Sequence, residues 1–200
     1  MGISERKQKE KENLKQEIMD AARELFVEKG YEAVSMRKIA ERIDYSPTTI
    51  YLYFDDKADL MTQICERTFA KLTHKLSAIN KRSSDPFERL RAGLTEYVHF
   101  GLRHPSDYHL LFNMHMPDQP SVPFEESNGE QSFDTLRAAV KACMDAGGLR
   151  SNNVEAVSQS LWMGIHGVTS LLITQPHFPF VGKKRLIRQT IDILIAGIRT

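Results

Sequence analysis

The sequence predicts an all-α protein of about nine helices, on three observations. Apolar residues recur at intervals of three and four along most of the chain. No stretch shows the apolar–polar alternation of a half-buried strand, and no internal repeat is present. The helical period breaks where Pro, Gly or capping residues stand. Two hundred residues, 41% of them hydrophobic, suit one large or two small domains.

Residues 1–12 are charged with mixed sign and carry no apolar period, which predicts a frayed arm or an exposed first turn. Leu14, Ile18, Ala21, Ala22 and Leu25 then share one helical face, and Gly30 ends that helix. The stretch Ser35 to Leu60 reads as two short helices, a tight turn and the start of a third. Ser35 can cap the first, whose apolar stripe is Ile39, Ala40 and Ile43. Asp44 tolerates the left-handed backbone that a tight turn needs. Ser46-Pro47 restarts the helix with a cap and with a proline where its missing amide costs nothing. Two short helices joined by about three residues form a helix-turn-helix.

The second short helix, read as Pro47 to Phe54, has two faces at about 100° per residue. Ile50 and Phe54 fall on a wedge that must be core. Thr48, Thr49, Leu52 and Tyr53 fall opposite, on a face free of charge. Such a face suits a helix in the major groove, where Thr reaches base edges, Thr and Leu touch thymine methyls and Tyr hydroxyls reach phosphate. Asp56 is the expected cap of the third helix, which places Lys57 in a first turn whose amides could hold a phosphate with it.

The third helix runs to about Asn80, with Met61, Cys65, Phe69, Leu72, Leu76 and Ile79 on one stripe. A rod of that length, shared by two domains, can convert movement at one end into displacement at the other. Asp85-Pro86 opens the next helix, which stops before Pro105, and a short helix bearing Tyr108, Leu111 and Phe112 follows. Residues 116–130, with three prolines, predict a loop. Phe133, Leu136, Val140 and Cys143 mark another helix, and two more finish the chain at about 151–174 and 183–199. Leu171 and Ile195 read as outward groups on these last two.

Several functions lack support. His99, His104, His109 and His115 are spaced 5, 5 and 6, without metal-ligand pairing, so neither metal nor cofactor is expected. No nucleophile elbow, phosphate loop or carboxylate pair marks an enzyme. Cys65 and Cys143 sit on apolar stripes, as small buried hydrophobes do. No run of about twenty apolar residues could span a membrane and no signal segment opens the chain, so the expected location is cytoplasmic. The formal charge is +1, and residues 1–57 hold 11 Lys/Arg against 12 Asp/Glu, so DNA contact would rest on placed residues rather than on a basic field.

Arg37-Lys38-Ile39-Ala40, the turn, Thr49-Ile50-Tyr51, the aromatic Phe54 and Lys57 three residues on resemble the DNA-binding domain of the TetR family of transcriptional regulators. Asp44, where that family usually has Gly, and Tyr45, where it has a smaller aliphatic, are departures. The resemblance implies a DNA-binding domain at 1–57, with Ser35, Arg37, Thr48, Thr49, Tyr51, Leu52, Tyr53 and Lys57 on double-stranded operator DNA. It implies an effector-binding and dimerisation domain at 58–200, acting as a homodimer through the last two helices. Trp162, His166 and Gly167 resemble the Trp-His-Gly segment of one subgroup of the family's C-terminal domains. Aromatic and Met residues with sparse polar tips describe an apolar pocket for a small effector. Its expected lining is Tyr97, Phe100, Tyr108, Phe112, Phe133, Trp162 and His166, with Gly164 able to fill it if enlarged. The rival reading is an all-helical lipophile carrier or protein-interaction module in which the helix-turn-helix is packing.

Overall fold

The protein is seen in a computed structural model that describes residues 2–79, 83–114 and 122–200. Nine α-helices occur among them: α1 (Ile3–Lys29), α2 (Met36–Arg42), α3 (Pro47–Tyr51), α4 (Lys57–Ile79), α5 (Pro86–Arg103), α6 (Pro105–Phe112), α7 (Asn128–Asp145), α8 (Val154–Thr174) and α9 (Lys183–Ile198). A 3-10 turn at Phe124–Glu126 precedes α7, so the expected loop ends earlier than residue 130; residues 116–121, and Asn80 at the end of the third predicted helix, lie outside the described residues. Among the described residues there is no strand, only an isolated bridge between Leu149 and Arg199.

The expected caps hold these helices. Ser35 Oγ accepts from the Lys38 amide at 3.3 Å, Ser46 Oγ from the Thr49 amide at 3.1 Å and an Asp85 carboxylate oxygen from the Phe87 amide at 2.8 Å. Gly30 ends α1 with φ 80°, a backbone that glycine adopts without cost. The charged start of α1 is helical, and Ser4 to Asn13 are exposed, the exposed-first-turn alternative of the two expected.

The chain divides into two compact units that do not follow chain order. The first comprises residues 1–68 and 106–123. Its core joins Ile18, Ala22, Leu25 and Phe26 of α1 to Ile39 and Ala40 of α2, Ile50 and Phe54 around α3, and Leu60 and Met61 of α4. Leu110 of α6 is buried in this same cluster, and Arg23 donates to Asp107 at 3.2 Å. The second unit comprises residues 69–105 and 124–200. There α8 packs on α5, α7 and α9, with Leu90, Leu94, Val140, Cys143, Leu161, Ile165 and Ile191 buried.

Asp44 is the one non-glycine residue with positive φ (57°) among the described residues. It turns α2 into α3, helped by the Tyr45 amide donating to the Ala40 carbonyl at 3.0 Å. A Cβ in this region is penalised by roughly 1–2 kcal/mol, less for Asp than for branched residues. Asp44→Gly should therefore leave stability unchanged or raise it by up to about 1 kcal/mol, and Asp44→Val should lower it by about 1–2 kcal/mol. Urea unfolding of the two variants checks this; equal stability would remove the strain.

Candidate nucleic-acid interface and effector region

In the first unit, α3 is only five residues long and ends at Tyr51, so the reading that carried it to Phe54 was too long. The chain turns there, with the Tyr53 and Phe54 amides both donating to the Ile50 carbonyl. Ile50 and Phe54 are buried at 0% and 1% exposure, as their wedge requires. On the outer side Thr48 is exposed, Tyr51 is 54% exposed and Leu52 is 74% exposed. Thr48, Tyr51 and Leu52 together make this outer side uncharged.

The other expected DNA residues sit less simply. The half-buried Thr49 shares its hydroxyl with Ser46 Oγ at 2.9 Å. Tyr53 packs against the unit's core, so it leaves the outward face on which helical spacing had placed it. Lys57 does open α4, but its ammonium is turned away from the helix amides. It donates to the Tyr31 carbonyl at 2.9 Å and lies 4.0 Å from that ring's centre, and so ties the α1–α2 corner to α4. Asp56 serves the first turn instead, accepting from the Asp59 amide at 2.7 Å, and Asp59 reaches back to accept from the amide of Asp55, ahead of the helix, at 3.1 Å. Arg37 is exposed and paired with Glu41 at 2.9 Å, a surface pair weak enough to yield to a phosphate. Tyr45, the departure from the family pattern next to the Ser46 cap, is 43% exposed.

In the second unit, Tyr97, Phe133, Trp162 and His166 come together. The indole N–H of Trp162 donates to the Tyr97 oxygen at 3.2 Å, and that oxygen lies 3.1 Å from His166 Nδ1. The indole can only donate, so the Tyr97 oxygen accepts from it, while the direction of the Tyr97–His166 bond follows the imidazole tautomer. Partial burial disfavours the charged ring and holds His166 below its ordinary value of 6.5. Phe133 meets the Trp162 ring edge-on at 5.9 Å, and the Arg137 guanidinium covers Phe133 at 4.3 Å. Arg137 also binds Glu155 at 2.7 Å and Glu130 at 2.6 Å. The result is an apolar aromatic surface whose polar tips are already engaged with one another.

The remaining expected effector residues are placed elsewhere. Phe100 is buried and stacks near His104 at 4.9 Å. Tyr108 and Phe112 lie in the first unit, 4.8 Å apart. Gly164 is no cavity wall: a Cβ there would come within 2.6 Å of the Leu194 side chain, so the glycine lets α8 and α9 approach. Ile195 is buried within its own unit at 4% exposure, a correction to its outward reading, whereas Leu171 is 51% exposed. Burial raises the Cys65 thiol to about 12 and the Cys143 thiol to about 11, which disfavours the reactive thiolate.

A capped helix-turn-helix followed by an all-helical unit defines a class of bacterial regulators, and comparison with known proteins gives the family. Residues 18–64 match the bacterial regulatory proteins of the tetR family, and residues 90–194 match the tetracyclin repressor-like C-terminal domain. The chain belongs to the TetR family. It is 27% identical over 130 residues to the HTH-type transcriptional activator FasR of Mycolicibacterium smegmatis, covering 65% of this chain and 55% of FasR. It is 32% identical over 125 residues to the HTH-type transcriptional repressor KstR of Mycobacterium tuberculosis, covering 62% of this chain and 57% of KstR. The chain thus matches little more than half the length of these relatives. A tetR-family regulatory protein from Rhodococcus RHA1 shares the fold, with a TM-score of 0.75 at 18% identity, over 92% of this chain and 96% of that one.

The lowered pKa of the half-buried His166 sets a pH dependence. Below 6.5 the unfolded chain takes up a proton that folded His166 resists, so stability falls with pH from 6.5 down to the lowered folded value. His166→Gln should lose that component. Urea unfolding at pH 7.5 and 5.5 should show a smaller loss for the variant than for wild type; equal losses would mean that His166 is freely protonated.

Proposed function

We propose that this protein is a DNA-binding transcriptional repressor that acts as a homodimer on a palindromic operator and is released by a small apolar effector. The observation that carries the reading is the uncharged, exposed face of α3 (Thr48, Tyr51, Leu52) on a buried seat, within the stretch that matches the family's regulatory proteins. Residues 1–57 are assigned to DNA and 58–200 to effector binding and dimerisation. Thr48, Thr49 and Leu52 read base edges and methyls, and Ser35, Arg37 and Tyr51 hold phosphates. Lys57 acts mainly through Tyr31. The match to the KstR repressors supports the repressor sense.

Dimerisation is assigned to α8 and α9. Met163, Leu171 and Ile193 are 69%, 51% and 61% exposed on these helices, more apolar surface than a lone protomer needs. Paired about a two-fold axis, they make a four-helix interface, and half-sites then fall about 34–36 Å apart or a multiple of it. The Trp162…His166-Gly167 segment supports membership of the family's Trp-His-Gly subgroup. The effector is assigned to the aromatic surface of Phe133, Trp162 and Tyr97, and α4, which contributes residues to both units, is the proposed transmitter. A coupling of about 1–3 kcal/mol would weaken operator binding roughly 5- to 150-fold, and operator must weaken effector binding by the same factor in calorimetry.

Titration against the DNA flanking its own gene tests the reading. Tyr51→Phe should weaken binding on all sequences alike, and Thr48→Ala should lose about 1–3 kcal/mol of discrimination at particular base pairs. Native circular dichroism of both variants is the condition for comparing them. Wild-type binding by both would displace α3 from the interface. Ile193→Glu should sediment as a monomer at micromolar concentration and lose the operator; a stable dimer would move the interface off α9.

A further inference from the structure

The connection from α8 to α9 continues into α9 as His177-Phe-Pro-Phe-Val-Gly-Lys-Lys-Arg-Leu-Ile-Arg188. Phe178 and Val181 stand 60% and 57% exposed, with the Phe178 and Phe180 rings 4.5 Å apart. Immediately after them Lys183, Lys184, Arg185 and Arg188 are all exposed. No acidic residue lies between Glu155 and Asp192 in the sequence. Those two are themselves occupied, Glu155 by Arg137 and Asp192 by Arg91. The first turn of α9 therefore carries cations where the helix dipole disfavours them, with no acidic residue there and no side-chain cap. Neither folding nor the proposed DNA face explains four cations beside two bare apolar side chains.

We infer that this segment is a peripheral docking surface for an anionic lipid bilayer. Charge complementarity selects the occupant: an exposed aromatic and an aliphatic group enter the headgroup boundary, and the adjoining cations meet anionic lipid headgroups. A nucleic acid fits less well, because a base stacks on a free aromatic face, whereas the Phe178 ring already lies against Phe180 and Val181 has no such face. A second copy of the chain would have to answer four cations with acidic side chains, whereas the exposed apolar groups on α8 and α9 (Met163, Leu171, Ile193) ask only for an apolar mate. No helix is long and apolar enough to cross a membrane among the described residues, so the contact is one of surface attachment. It is independent of the operator-binding reading and stands or falls separately.

The test is sedimentation of the full-length protein with vesicles of phosphatidylglycerol and phosphatidylcholine, against phosphatidylcholine alone. Binding to the anionic vesicles only, weakened by salt, is expected. Each cation near an anionic surface is worth about fivefold, so Lys183→Ala with Lys184→Ala should weaken binding about 25-fold. Phe178→Ser with Val181→Ser should weaken it separately, without changing circular dichroism or oligomeric state. Equal binding to neutral vesicles, or undiminished binding by both double variants, overturns the inference. So does dissociation of the oligomer by Phe178→Ser with Val181→Ser, which would assign the patch to a second copy. Loss of non-specific DNA binding by the lysine variant while no vesicle binds would assign it to nucleic acid.

Discussion

The proposed DNA-binding side depends on the burial of Ile50 and Phe54. A five-residue helix has too few hydrogen bonds to persist alone, since nucleating a turn costs more than one bond returns. Here α3 persists because those two side chains are sunk in a core shared with α1, α2 and α4. Burying each of two such groups is worth about 1.5–3 kcal/mol, enough to outweigh the nucleation penalty. Once that side is fixed, Thr48 and Tyr51 of α3 and the following Leu52 stand outward, and Ser46 and Asp44 set where the helix begins. Any change that loosens the seat should move the whole outward face at once.

Local chemistry made much of this legible in the sequence. The Ser35, Ser46 and Asp85 caps, the Gly30 stop and the left-handed Asp44 each depend on residues within a few positions, so the residue types alone indicated them. Tertiary placement was not legible. Leu110 has the same apolar spacing whichever core receives it, and it enters the helix-turn-helix core rather than the later unit. Lys57 was placed by its position at a helix start, but the Tyr31 carbonyl and ring competed for its ammonium and won. Tyr53 changed sides because α3 stops at Tyr51, and a helical wheel has no meaning beyond the last helical residue. Gly164 and Ile195 were misread because a stripe on an amphipathic helix does not reveal which neighbour it meets.

The second unit shows a similar division between residue type and role. Tyr97, Phe133, Trp162 and His166 were grouped by composition, and they do assemble. Their polar atoms engage one another, so the effector proposed for this surface would be held by shape and apolar contact rather than by hydrogen bonds. The two cysteines are buried, with thiols raised by that burial, and contribute packing.

The central claim is that DNA is read by the neutral face of α3 rather than drawn by a basic field, in keeping with 11 Lys/Arg against 12 Asp/Glu over residues 1–57. Operator affinity measured against salt concentration tests it most directly. A protein making six to ten phosphate contacts loses about 10³–10⁵ in affinity between 50 and 200 mM salt. The account predicts a shallower fall than that, with scrambled DNA bound weakly at every salt. A steep fall shared by operator and scrambled DNA would contradict it.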